Sequence, residues 1–202
     1  MQLKHNYYYF IKAIPITTCE KILEAGRKKI TNQAITGIEY KEGKLNLKAR
    51  DCRVSWLKDK WIYDIINPFI STANEKAGWN FQLDWHENSQ FTIYEKGQYF
   101  NWHTDQGTKA HVKHPSKNIK GKIRKLSLTL QLTDRADYEG GDFQFRWLDD
   151  NKKDFINIVT VDDAKDMGTI IIFPSFIWHQ ILPITKGKRE SLVNWTVGKK
   201  FK

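Results

Sequence analysis

In Arg124-Lys125-Leu126-Ser127-Leu128-Thr129-Leu130-Gln131-Leu132, four leucines alternate with Lys125, Ser127, Thr129 and Gln131. A period of two is the mark of a β-strand with one apolar face. The same period recurs on both sides of this stretch. Trp79, Phe81, Leu83 and Trp85 alternate with other residues, followed by Phe91 and Ile93. Phe143, Phe145 and Trp147 alternate with Gln144 and Arg146. Ile170-Ile171-Ile172-Phe173 is a short apolar run closed by Pro174, and Leu192 to Val197 ends the series. Many short strands with turn residues between them predict a β-sandwich or barrel.

The first third reads differently. Thr17-x-x-Glu20 has the form of a capping box, with Ile22, Leu23, Gly26 and Ile30 on one helical face behind it. Trp61 to Ala73 predicts a second helix, which Pro68 is expected to kink or split. Arg53-Val54-Ser55-Trp56-Leu57 between them reads as a short strand. Helices first and strands afterwards predict an α+β chain with the helices packed on one outer face. The expected organisation is one domain over residues 1–202, with helical support to about residue 78 and a β core from about 79 to 200.

The 202 residues are 40% apolar and 28% charged, which excludes a disordered chain. No apolar stretch approaches the roughly 18 residues of a membrane span, and Met1 to Asn6 does not read as a signal peptide. Cys19 and Cys52 form neither a metal-spacing motif nor a disulfide framework, so a cytoplasmic location is expected. The net charge of +10 favours acidic partners or serves solubility. It is concentrated between Gly107 and Lys125, a stretch without acids that reads as a long loop. His111 and His114 inside it are expected to be solvated.

His103-Thr104-Asp105 is the sharpest chemical signal. Alternate side chains of a strand share one face, so an imidazole and a carboxylate at this spacing suit two ligands of a divalent metal. A hydrogen-bonded His–Asp pair is the structural alternative. His179 follows the apolar run to Phe173 and can complete a two-histidine, one-carboxylate face, the ligand set of non-haem Fe(II) oxygenases. A capped core histidine is its alternative. Arg189, ten residues on, can hold a carboxylate bidentately from the start of a strand, or lie in a basic surface turn.

Taken in order, these residues resemble a known family. Its marks are Tyr94-x-x-Gly97-x-Tyr99-x-x-x-His103-x-Asp105, then Arg124 to Leu132, then Tyr138-Glu139-Gly140-Gly141-Asp142. Gly168-Thr169, Phe173-Pro174-Ser175, His179, Pro183, Thr185-x-Gly187-x-Arg189 and Trp195 complete it. The chain resembles the 2-oxoglutarate- and Fe(II)-dependent oxygenases, in the prolyl/lysyl-hydroxylase-type branch that includes prolyl 4-hydroxylases. The resemblance runs from about Arg53 to Trp195.

It implies a double-stranded β-helix, or jelly-roll, supported by the N-terminal helices. It implies Fe(II) on His103, Asp105 and His179. 2-Oxoglutarate would be held by Arg189, Tyr94 and the hydroxyls of Ser127 or Thr129. Many prolyl 4-hydroxylases have Lys where Arg189 stands, and Gln131 replaces a Tyr of some relatives. Dioxygen is the third reactant and ascorbate the expected reductant. The implied reaction hydroxylates an unactivated C–H and releases succinate and CO2. The expected partner is a proline-containing protein or peptide, with Tyr99, Trp195 and Arg53 as substrate-pocket candidates. An AlkB-like demethylase acting on nucleic acid is the alternative that the charge favours. The series Arg189, Ser191, Val193, Trp195 matches its motif at the first two positions only. A free amino acid or small molecule is the third substrate class.

Overall fold

The computed structural model describes residues 3–29, 32–33, 46–107, 110–112, 114–148 and 156–201. The elements follow the chain as β1 (Tyr8–Phe10), α1 (Ile16–Arg27), β2 (Asn32–Gln33), β3 (Arg50–Asp51), β4 (Arg53–Leu57), α2 (Lys60–Lys76), β5 (Trp85–His86), β6 (Ser89–Tyr94) and β7 (Tyr99–His103). They continue as β8 (Ile123–Gln131), β9 (Tyr138–Gly140), β10 (Phe143–Leu148), β11 (Ile156–Thr160), β12 (Ile170–Pro174), β13 (Trp178–Ile181), β14 (Ile184–Gly187) and β15 (Arg189–Gly198).

Two sheets face each other. The major sheet runs β1-β12-β8-β15-β6-β4-β2, with β5 added on β15. The minor sheet runs β11-β10-β13-β7-β3, and β14 pairs β9 alone. All the pairings inside these sheets are antiparallel. This is a jelly-roll whose major sheet carries both helices on its outer face, the α+β arrangement that the sequence predicts.

The alternation in β8 now has its physical meaning. Leu126, Leu128, Leu130 and Leu132 enter the core shared with Ile22, Ile62, Ile66 and Ile70 of the helices. Ser127, Thr129 and Gln131 point the other way and are equally buried. A second core, with Phe143, Phe145, Phe173 and Ile181, fills the space between the sheets. Both faces of β8 are therefore buried, one apolar and one polar.

Three local expectations are corrected. Helix α1 starts at Ile16 after Pro15, with no side-chain cap, so Thr17 lies inside the first turn and makes no capping box. Pro68 sits within α2 without splitting it. Ile30 lies outside the described residues. Trp79 and Phe81 are buried but belong to no strand. The Asn74 amide bonds both main-chain groups of Phe81, accepting from its N–H at 2.9 Å and donating to its C=O at 3.0 Å. Those groups are thus satisfied as a neighbouring strand would satisfy them.

Gly26 sets how closely α1 approaches the sheet. A Cβ there would lie 2.3 Å from the Phe91 ring. Ser55 donates its hydroxyl to the Gly26 carbonyl at 3.0 Å, fixing the helix to β4.

Candidate active site

Strands β7 and β13 are neighbours in the minor sheet, and their register sets His103 directly opposite His179. Asp105 follows two residues after His103 and shares its side. Together the three place one donor atom each within 4.8 Å of one another. Nε2 of His103 is 3.8 Å from Oδ1 of Asp105, and Nε2 of His179 is 3.5 Å from Oδ2.

Each imidazole is held from behind. Nδ1 of His103 is 2.7 Å from the Asn101 carbonyl, and Nδ1 of His179 is 3.0 Å from the Ile177 carbonyl. A carbonyl only accepts, so both Nδ1 atoms carry a proton, and both Nε2 atoms face the cluster. That is the arrangement that orients metal-ligating histidines. Burial pushes the His103 pKa well below its usual value, and His179 beside it adds to the effect. Burial opposes the Asp105 charge, but His179, His103 and Arg124, with a Ser127 hydrogen bond, outweigh it and hold its pKa low. Two imidazole Nε2 atoms and one carboxylate are the donor set that Fe(II) accepts.

The triad lines a cavity of about 930 Å³ between the sheets. Arg189 lines it too, at the start of β15, 2% exposed and without an acidic partner among the described residues. Its Nη1 donates to Ser191 Oγ at 3.4 Å, and its guanidinium lies 5.9 Å from the Tyr94 ring centroid. Gly141 leaves room for it: its φ of +62° favours glycine, and a Cβ there would lie 3.3 Å from Arg189 Cδ and 2.3 Å from Ile184 Cδ1. Tyr138 hydrogen-bonds Arg189 and receives the Gln131 amide at 3.2 Å. Burial raises the Tyr94 pKa, keeping its phenol a donor.

The structure sorts the remaining sequence candidates. Tyr94, Thr129 and Trp195 line the cavity. Ser127 lies behind the triad, bonded to Ser175 at 2.9 Å and to Asp105. It is not part of the cavity wall. Tyr99 points its hydroxyl to the Leu47 carbonyl at 3.0 Å, and Arg53 pairs with Glu95 at 2.7 Å on the surface. Neither lines the cavity.

Four wall residues escaped the sequence reading. Arg124 makes a bidentate pair with Glu87, both bonds 2.7 Å, and His111 Nε2 lies 3.2 Å from the same carboxylate. Arg124 also stacks 3.8 Å from the Trp195 ring centroid. Arg50 lines the wall beside Phe100. His111 is 5% exposed, against the expectation of a solvated histidine, and it meets Glu87 in the cavity wall. An acid close to His111 in the sequence would have pointed to this contact, but its acidic partner, Glu87, comes from 24 residues upstream.

Comparison with known proteins agrees with this geometry. A PKHD-type hydroxylase of Synechococcus sp. (strain CC9902) is 33% identical over 101 residues, 50% of this chain and 37% of that protein. One from Cupriavidus metallidurans is 31% identical over 105 residues, 52% and 40% of the two chains. The matches thus span well under half the length of these relatives. A Pseudomonas putida prolyl-4-hydroxylase superposes with a TM-score of 0.67 at 16% identity, covering 98% of this chain and 94% of that one. A Trichoplax adhaerens prolyl hydroxylase, solved with a hypoxia inducible factor peptide, gives 0.68 at 14% identity, covering 95% and 83%. At such identities the two structures establish the fold. The family model of the 2OG-Fe(II) oxygenase superfamily, which takes Fe(II), 2-oxoglutarate and dioxygen, matches residues 89–197, more than half of the 202. From β6 to β15, through all three triad residues and Arg189, the chain belongs to the 2OG-Fe(II) oxygenase superfamily.

Proposed function

We propose that this chain is a 2-oxoglutarate- and Fe(II)-dependent hydroxylase whose substrate is a proline residue of a protein or peptide. One observation carries the reading: two Nε2 atoms and one carboxylate converge on the wall of a cavity that also holds Arg189, which has no acidic partner among the described residues. With iron and 2-oxoglutarate bound, dioxygen oxidises an unactivated C–H to C–OH while 2-oxoglutarate becomes succinate and CO2.

The chain's own part is positioning and exclusion of water. His103, Asp105 and His179 hold the iron. Arg189 holds the distal carboxylate of 2-oxoglutarate, with Tyr94 and Thr129 beside it. Ser127 fixes the Asp105 carboxylate. Ascorbate is the expected reductant. Trp195 faces the substrate, its ring fixed by Arg124 and its buried Nε1–H without an acceptor. Trp56 and Trp85, each nearly half exposed, also line the cavity. Aromatic rings suit the flat apolar face of a proline ring. The peptide-bound Trichoplax relative and the prolyl-4-hydroxylase fold support a peptide substrate.

The test is turnover on proline-containing peptides, read by mass spectrometry. One oxygen atom added per succinate formed, and none on peptides with Ala in place of Pro, is the expected result. Succinate formation coupled to a methylated oligonucleotide or a free amino acid, with all peptides inert, would overturn the proline assignment and leave the oxygenase standing.

A further inference from the structure

Arg189 is not the only buried guanidinium in this cavity that lacks an anion. Arg50, at the start of β3, is 7% exposed and lines the same wall. Its Nε donates to Cys52 Sγ at 3.0 Å, and its guanidinium lies 4.5 Å from the Phe100 ring centroid. No acid lies within ion-pair distance of it among the described residues. The thiol does not balance the charge, since burial raises the Cys52 pKa and keeps it neutral. Arg124, in the same wall, shows the usual solution, a bidentate carboxylate. A buried cation without an ion pair in contact is costly, and a guanidinium on a cavity wall matches a carboxylate.

The place of Arg50 says which part of the cavity it serves. Phe100, under its guanidinium, stacks on the His103 ring with centroids 3.4 Å apart and planes 12° from parallel. Arg50 is thus one ring removed from the triad, and its charge acts on both Asp105 and His103.

We propose that Arg50 is a second carboxylate-binding residue of this cavity, beside the triad and separate from Arg189. The placement beside the triad rests on the oxygenase reading; the carboxylate chemistry does not. The same chemistry has two sources: the carboxylate of 2-oxoglutarate that Arg189 does not hold, or a carboxylate on the molecule to be hydroxylated, such as a free amino acid or a C-terminal residue.

Equilibrium binding separates them, with Arg50→Met and the charge-keeping Arg50→Lys compared with wild type in the Mn(II)-loaded protein without oxygen. The probes are 2-oxoglutarate, pyruvate, which lacks the distal carboxylate, and then N-acetylproline and its amide on the 2-oxoglutarate-loaded protein. If the co-substrate is the source, Arg50→Met weakens 2-oxoglutarate and pyruvate alike by about tenfold or more, and Arg50→Lys recovers part of it. If the substrate is the source, both keto acids bind as in wild type. N-acetylproline then binds wild type, Arg50→Met loses it, and the amide binds neither. Metal-free protein gives an independent arm: acetate is expected to raise the thermal midpoint of wild type and of Arg189→Met, and not that of Arg50→Met. A folded Arg50→Met that matches wild type in every titration overturns the proposal. Wild type that binds neither Mn(II) nor 2-oxoglutarate, yet shows the Arg50-dependent acetate response, would instead refute the oxygenase reading and leave the carboxylate site.

Discussion

Arg189 is 2% exposed, lines the cavity and has no acidic partner among the described residues, so an anion bound beside it would offset the cost of its burial. Arg189→Met is expected to weaken 2-oxoglutarate binding roughly 10- to 100-fold, the loss of charge-assisted hydrogen bonds worth about 1.5–3 kcal/mol. Calorimetry on the Mn(II)-loaded protein measures this. The thermal midpoint of the ligand-free variant is expected to equal or exceed that of wild type, since a buried unpaired charge is removed. Single residues were legible in the sequence where strand geometry alone places them. His103 ends β7 and Asp105, two residues on, converges with it on one side, while His179 joins them by strand pairing. Arg124 was hidden by a bulge. β15 steps from Thr196 to Val197 while β8 steps from Leu126 to Arg124, so Lys125 is the extra residue. That slip turns Arg124 from the leucine face to the cavity face. Arg50 was hidden because its strand is two residues long, too short for any period.

At the scale of elements, His111 and Arg124 meet on one buried carboxylate, that of Glu87. Burial would raise the Glu87 pKa, but Arg124 and then His111 outweigh it and bring it from 4.5 to about 2. A depressed carboxylate stabilises the fold above its ordinary pKa, and this contribution is lost as the pH falls from about 4.5 to about 2. The shift corresponds to about 3 kcal/mol. Glu87→Gln is therefore expected to be less stable than wild type at neutral pH, with the gap closing across that window. Urea denaturation at a series of pH values reads it. A gap that stays constant with pH would mean that the charge of Glu87 is not what stabilises the fold. Packing of helix on sheet gives a second expectation. Gly26→Ala would drive a methyl into the Phe91 ring, so a loss of about 1–3 kcal/mol is expected in the same measurement. The capping box failed for a reason of the same kind: Pro15 already fixes the entry into α1, two residues before Thr17.

On the scale of the whole molecule, charge was the least informative feature of the sequence. Much of the basic stretch is used internally. Lys122 pairs with Asp84 at 3.2 Å, Arg124 with Glu87, and Lys125 lies 3.2 Å from the Phe201 ring centroid. The +10 is thus partly structural, which weakens its case for a nucleic-acid partner. No helix among the described residues is long and apolar enough to cross a membrane. The jelly-roll itself was legible because its strands keep period two even where both faces are buried, as in β8. The cavity was not, because its wall is assembled from β3 to β15 through contacts between residues far apart in sequence. The central claim is that His103, Asp105 and His179 hold Fe(II) and that 2-oxoglutarate binds beside it. An anaerobic titration of the protein with Fe(II) and 2-oxoglutarate tests it, watched for the visible charge-transfer band of the chelate. A saturable band in wild type, absent from folded His103→Ala and His179→Ala, is the expected result. A folded wild-type protein that shows no band and retains no iron would contradict the claim.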